Sequence, residues 1–338
     1  MKRYACTALA TGSLLAAAAT GARAQETGFS WEGELEIGVE SVIHSDDPTA
    51  EINDGYPSFS LGAEYRFNRT VAIFGELTAE SVIDPAKDRV FDDLGLYVSQ
   101  LGLRFYLDDT VLSVGKVAPA FGTAWDVAPG FFGTSLAEDY EMTESIGFTL
   151  DVPVGDGVVS MALFYADDTR LSESFFTDRG RNSTALGGAG NTGKLNNAAI
   201  QWAQSFDTGT TLSIGARHLS AGTGDVSDEN AVVVGVEQVI TDDLTFFAEG
   251  ARFNGYGGSG LDAGYGTLGL AYVTGPWTWS VSAAERQIDG TGTDRLYGIG
   301  LDYEFENGVT LGGGLARLDE SGVKSNLAGV SVIIPLGG

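Results

Sequence analysis

The sequence predicts an all-β fold, a transmembrane antiparallel up-and-down β-barrel of sixteen strands with one connection folded inward. Three observations carry this expectation: polar and apolar residues alternate with period two, short connections alternate with long ones, and the chain opens on an export-type segment.

The alternation is clearest near residue 30. Phe29, Trp31, Leu35, Ile37 and Val39 interleave with Ser30, Glu32, Glu34, Glu36 and Glu40. One face of the strand is therefore apolar and the other acidic. A sandwich would press the apolar face on a second sheet and a barrel would press it on lipid, so one strand alone does not discriminate.

The series of strands discriminates better. Sixteen stretches qualify: 28–41, 57–67, 70–81, 94–107, 110–118, 144–152, 157–166, 196–206, 210–220, 230–240, 243–253, 263–274, 277–287, 294–305, 308–318 and 325–334. Short connections centre on Asn68-Arg69, Asp108-Asp109, Gly155-Asp156, Asp207-Thr208-Gly209, Thr241-Asp242, Gly275-Pro276 and Glu306-Asn307-Gly308. Longer polar connections fall at 42–56, 82–93, 119–143, 167–195, 221–229, 254–262, 288–293 and 319–324. Tight turns on one rim and long loops on the other is the organisation of an outer-membrane barrel, whereas Greek-key sandwiches do not sort their connections this way. Phe67, Phe105, Phe206, Tyr272, Trp277, Tyr303 and Phe305 all lie near short turns, where an interfacial aromatic girdle belongs.

Met1-Lys2-Arg3, an Ala- and Leu-rich run to Ala19, and Thr20-Gly21-Ala22-Arg23-Ala24 have the three parts of a secretory signal. The expected domains are a cleaved signal at 1–24 and a barrel at 25–338. The only cysteine, Cys6, lies within the signal, which excludes disulfides and thiolate chemistry in the mature chain. The placement expected is the outer membrane of a Gram-negative cell, in contact with lipid and lipopolysaccharide.

Composition narrows the function. With 19 Lys+Arg against 46 Asp+Glu the net charge is −27, so a nucleic-acid partner is disfavoured. Two histidines, His44 in a long loop and His218 near a strand end, sit in no nucleophile motif, and an enzyme is not expected. Acidic groups such as Asp225, Asp228 and Glu229 lack EF-hand spacing, and the tracts at 187–190 and 257–260 lack the Lys-Ser/Thr of a phosphate loop. No cofactor is expected.

The connection 119–143 stands apart, and with residue 118 it forms the segment 118–143. Its aromatics Phe121, Trp125, Phe131 and Phe132 would be an unburied patch in water, so the loop is expected to fold into the barrel and pack on the inner wall. It would carry Asp126, Glu138, Asp139, Glu141 and Glu144 into the lumen. Arg66, Arg104, Arg217 and Arg286 share parity with the polar faces of their strands and are expected opposite these acids. Lys116 is ambiguous, since Leu112 and Val114 share its parity. Acid facing base across a narrow bore would set a transverse field that orders water and small dipolar solutes. The excess of acid points to a mild preference for cations.

The run Gly115-Lys116-x-x-Pro119-x-Phe121-Gly122-x-Ala124-Trp125-Asp126, then Pro129-Gly130-x-x-Gly133-Thr134, then Glu138-Asp139-Tyr140-Glu141-x-Thr143-Glu144-x-Ile146-Gly147, resembles the constriction-loop region of general porins from alphaproteobacteria. The specific likeness spans about thirty residues, and strand count and loop alternation extend a looser one over the mature chain. The resemblance implies a homotrimer, passive diffusion of small hydrophilic solutes, and weak calcium binding by loop carboxylates. Such barrels usually end on an aromatic residue, and this sequence ends Pro335-Leu336-Gly337-Gly338. A substrate-selective channel and a structural or adhesin barrel of low permeability stand as the alternative readings.

Overall fold

A computed structural model describes residues 27–337, so the signal expected at 1–24 lies outside the described residues. Sixteen long strands follow one another: β1 (Gly28–Ser45), β2 (Asn53–Arg66), β3 (Val71–Ser81), β4 (Leu94–Leu107), β5 (Thr110–Val117), β6 (Ser145–Val154), β7 (Gly157–Ala166), β8 (Asn197–Ser205), β9 (Thr210–Leu219), β10 (Glu229–Thr241), β11 (Leu244–Asn254), β12 (Ala263–Thr274), β13 (Trp277–Ile288), β14 (Gly292–Glu304), β15 (Thr310–Glu320) and β16 (Val323–Gly337). Each pairs antiparallel with its successor, and β16 returns to β1 in a ladder running from Glu32 opposite Gly337 to Ser45 opposite Ser325. The sheet is a closed sixteen-stranded barrel. Closure satisfies every strand edge, which is the condition for β-structure in hydrocarbon. No described helix is long and apolar enough to cross a membrane.

The alternation read in β1 sorts as expected. Phe29, Trp31, Ile37 and Val39 are exposed on the outer surface, while Glu36 is buried inside. Trp31 (37% exposed) and Trp279 (52%) stand on the outer wall and not in a protein core. Near the short turns aromatic rings meet in pairs: Trp277 meets Tyr303 edge-on at 4.7 Å, Tyr303 meets Phe305 at 4.8 Å, and Tyr65 meets Phe67 at 5.3 Å.

Two of the expected long loops are turns. Residues 289–291 join β13 to β14 and residues 321–322 join β15 to β16. Positive φ at Gly290, Gly292, Ser321 and Gly322 lets the chain reverse at once, so the strands extend into stretches whose polarity reads as loop. His44 belongs to the end of β1 and not to a loop, because the ladder to β16 continues past an irregularity at Val42/His44. Two ladders of two residues escape sequence reading altogether: Arg89–Val90 beside Asp54 and Gly55, and Phe175–Phe176 beside Leu96 and Gly95. Both are built from loops, and two residues carry no detectable period.

Candidate functional site

The segment between β5 and β6 enters the barrel and packs on the inner wall. Phe121, Ala124, Tyr140 and Met142 join a buried cluster with Ala199, Val233, Phe247, Phe253 and Tyr265 from β8 to β12. Phe131, Phe132 and Leu136 form a second cluster with Ala284, Leu296 and Ala316 from β13 to β15. Of the four aromatics expected to hold the loop, Phe121 and Phe132 are fully buried, and Trp125 and Phe131 are partly so. Trp125 also donates its indole N–H to the Phe121 carbonyl at 3.1 Å.

The wall has a bed for this loop. A Cβ at Gly269 would collide with Pro129, one at Gly300 would crowd Gly130, and side chains at Gly314 or Gly329 would occupy the space of Phe131. Glycine weakens a strand interior, and here its cost is offset by the close approach of a second backbone. Gly122, at φ 73°, begins the inward course, and a one-turn helix, Ala124–Val127, follows it.

Polar side chains of the wall fasten the loop. Gln201 accepts from Gly122 N–H at 2.7 Å. Arg217 donates to the Tyr140 carbonyl at 2.7 Å and pairs with Glu229 at 2.8 Å. Arg286 pairs with Asp139 and Asp294, and Asp139 also accepts from the Tyr265 hydroxyl at 2.9 Å. Glu249, 4% exposed, accepts from Thr123 N–H (2.7 Å), Thr123 Oγ1 (2.9 Å), Ala124 N–H (3.0 Å) and the Tyr140 hydroxyl (2.6 Å). Sequence reading misses Glu249, Gln201 and Tyr265. The signal available is an inward Glu flanked by Gly250 on a strand rich in aromatics, which is too common to single out a residue.

The arrangement of charge differs from the one expected. Arg286 meets one of the expected loop acids, Asp139, in a direct ion pair, whereas Arg217 binds the loop backbone at Tyr140 and pairs with Glu229 of the wall. Arg66 and Arg104 gather round Glu64 near the short-turn rim, at 3.0 and 2.7 Å, with Arg66 stacked on Tyr106. Lys116 is completely buried beneath the 167–196 connection, 2.8 Å from Asp167 and from the Leu171 carbonyl and 3.7 Å from Glu144. Glu144 in turn holds Arg179 at 2.6 Å, and Arg179 stacks on Tyr97. Lys116 and Glu144 lie above the short β5, where β4 remains paired with β3 but has no partner on its other side until Phe175–Phe176 pairs with it.

What remains of the loop's acid turns toward β1 to β4. Asp126 lies within electrostatic reach of Glu34, Glu138 of Glu40 and Glu80, and Glu141 of Glu76 and Glu80. The loop's Asp126, Glu138 and Glu141 therefore sit near other acids and not near cations. Burial raises the Glu138 carboxyl to about 8, with Glu141, Asp139 and Glu80 adding repulsion and a hydrogen bond from Thr134 opposing it. Burial likewise lifts Glu141 to about 7, with help from Asp126, Glu80 and Glu76, and burial alone lifts Asp126 to about 6.

The other residues singled out by sequence have structural partners. Asp225 accepts from Gly188 and Gly222 N–H, Asp228 from Ala221 N–H, and Glu229 from Gly257 N–H. His218 meets Asn230 at 2.9 Å, and His44 meets Glu51 at 3.3 Å. Among the described residues, no group of three or more His, Cys, Asp or Glu is placed to hold a metal ion.

No protein-family model matches the chain, and no curated protein matches it. Solved structures do. A five-substitution mutant of Rh. blastica porin is 18% identical, with a TM-score of 0.58 over 91% of this chain and 100% of that one. A double mutant of the same porin is 18% identical at a TM-score of 0.59, again over 91% and 100%. A triple mutant of Rhodopseudomonas blastica porin is 18% identical at 0.58, with the same coverage. At this identity the likeness is one of fold, and in fold this chain is a porin-type barrel.

Proposed function

We propose that the chain is an outer-membrane porin, forming a water-filled channel through which small hydrophilic solutes and ions diffuse passively with a preference for cations. One observation carries the reading: a closed barrel with an apolar outer wall holds an inward-folded loop whose Asp126, Glu138 and Glu141 lie within electrostatic reach of further carboxyls on β1 and β3. Such a bore has a polar lining for water and one sign of charge at its narrowest part, where fixed charges concentrate counter-ions. The porin-type fold favours a channel over an enzyme for this chain. The homotrimer and the contact with lipid and lipopolysaccharide implied by the loop resemblance belong to the same reading.

The experiment is single-channel recording in planar bilayers. Ohmic steps with a reversal potential on the cation side of a salt gradient are expected. Silence would favour a structural barrel, saturation by one solute a selective channel, and anion selectivity would end the charge argument.

A further inference from the structure

The loop touches the wall at many points, but one side chain holds both of its arms. Glu249 stands on the inward face of β11. Its two oxygens collect four donors: the N–H and hydroxyl of Thr123 and the N–H of Ala124 on the entering arm, and the hydroxyl of Tyr140 on the returning arm. The two arms are thereby tied at one place, and the arch between them carries Asp126 and Glu138. The molecule keeps room for this carboxylate. A Cβ at Gly122 would lie 2.9 Å from Glu249 Oε1 and from the Tyr140 ring, and one at Gly235 would lie 3.0 Å from Glu249 Oε2. Neighbouring bonds brace the same place, since Gln201 holds Gly122 and Arg217 holds the Tyr140 carbonyl.

We infer that Glu249 is the positioning residue of the constriction: it staples the two arms of the loop to β11 and so fixes the width and steadiness of the bore. Only a carboxylate suits the place. Four donors converge on two acceptor oxygens, whereas a glutamine would offer one acceptor and turn an NH2 group toward donors it cannot accept from. The consequence for conductance rests on the pore reading, and the consequence for the loop does not.

The test uses the full chain in detergent and in bilayers, as wild type, Glu249→Gln and Tyr140→Phe, with Glu285→Gln on the outer wall as control. Hydrogen exchange at residues 122–124 is expected to be about tenfold faster in Glu249→Gln, and faster by a smaller factor in Tyr140→Phe, with β8 and β13 unchanged. A general loss of stability would speed the strands as well, so the confinement of the effect distinguishes positioning from mere support. In bilayers the glutamine variant should show broader current levels and admit larger neutral polymers than wild type. A folded Glu249→Gln with wild-type protection of the loop overturns the inference. So does uniform acceleration over strands and loop. Should Glu249→Gln not fold, Tyr140→Phe decides alone, and wild-type protection there overturns it. A loosened loop in a protein that never conducts would uphold the staple and remove the pore reading.

Discussion

The two halves of the inner wall carry the same alternation and put it to different use. Behind the loop, from β8 to β16, cations and acids alternate, are mostly buried, and bond to the loop or to each other: Arg217 with Glu229, Arg286 with Asp139 and Asp294, Glu249 with Thr123 and Tyr140. On the arc from β1 to β4, Glu32, Glu34, Glu36, Glu40, Glu76 and Glu80 stand with few cations: Arg66 and Arg104 are engaged at the rim by Glu64, and Arg179, within reach of Glu80, by Glu144. Inward polarity therefore has two meanings. Where the loop is fastened to the wall a charge is a fastener, and on the opposite arc, under the pore reading, it is part of the filter.

Four perturbations break or sharpen this contrast. The largest effect is expected behind the loop. Arg217→Ala leaves Glu229 buried without its cation, at a cost of about 3–5 kcal/mol for breaking one side of a buried pair. It should lower the thermal midpoint of the folded barrel, read by heat-dependent migration on gels. Equal midpoints for mutant and wild type would mean that this half of the wall is wet as well.

Neutralising the filter should leave stability nearly alone and change transport. In Glu138→Gln/Glu141→Gln the cation-to-anion permeability ratio is expected to fall several-fold, because short-range potentials in a narrow bore are poorly screened. An unchanged reversal potential would place selectivity elsewhere.

Acidification should act in the same direction with less force. Carboxyls raised to about 8, 7 and 6 at Glu138, Glu141 and Asp126 are charged above those values and neutral below them. Cation preference should then decline as pH falls from 8.5 to 5, and the double glutamine variant should lose most of that slope. A preference that rises on acidification would contradict the assignment.

The smallest effect is expected at the rim. Arg104→Ala removes one partner of Glu64 but leaves Arg66 and the Tyr106 hydroxyl on that carboxylate, so selectivity should move by less than about twofold. A larger shift would show that the rim cluster, and not the loop, governs entry.

The fold was legible because period-two patterning is written in most of the long strands and puts their Val, Ile and Trp on one outer face. The inward course of the loop was legible too, since Phe121 and Phe132 have no other place to be buried. The partners of its charges were not. Alternation says that Arg217 and Glu249 point inward, but it does not say which arc of the wall the loop covers. That arc is set by bare glycines at 269, 300, 314 and 329, whose meaning appears only when Pro129 and Phe131 lie against them. The turns at 289–291 and 321–322 were misread for a related reason: left-handed backbone at Ser321 and Gly322 does the work of a loop in two residues.

The glycines under Phe131 also bear on how the barrel is assembled. Gly314 on β15 and Gly329 on β16 lie close to the seam where the last strand meets the first, and they present no side chains of their own there. The ring that fills this space comes from a residue nearly two hundred positions upstream. The seam's own ladder joins residues still farther apart, from Glu32 with Gly337 to Ser45 with Ser325, and pairings of such separation carry a high loop-closure cost and form late. Seating the loop and zipping the final strands are on this account a single event, and a folding intermediate with its loop undocked would be one whose seam is still loose.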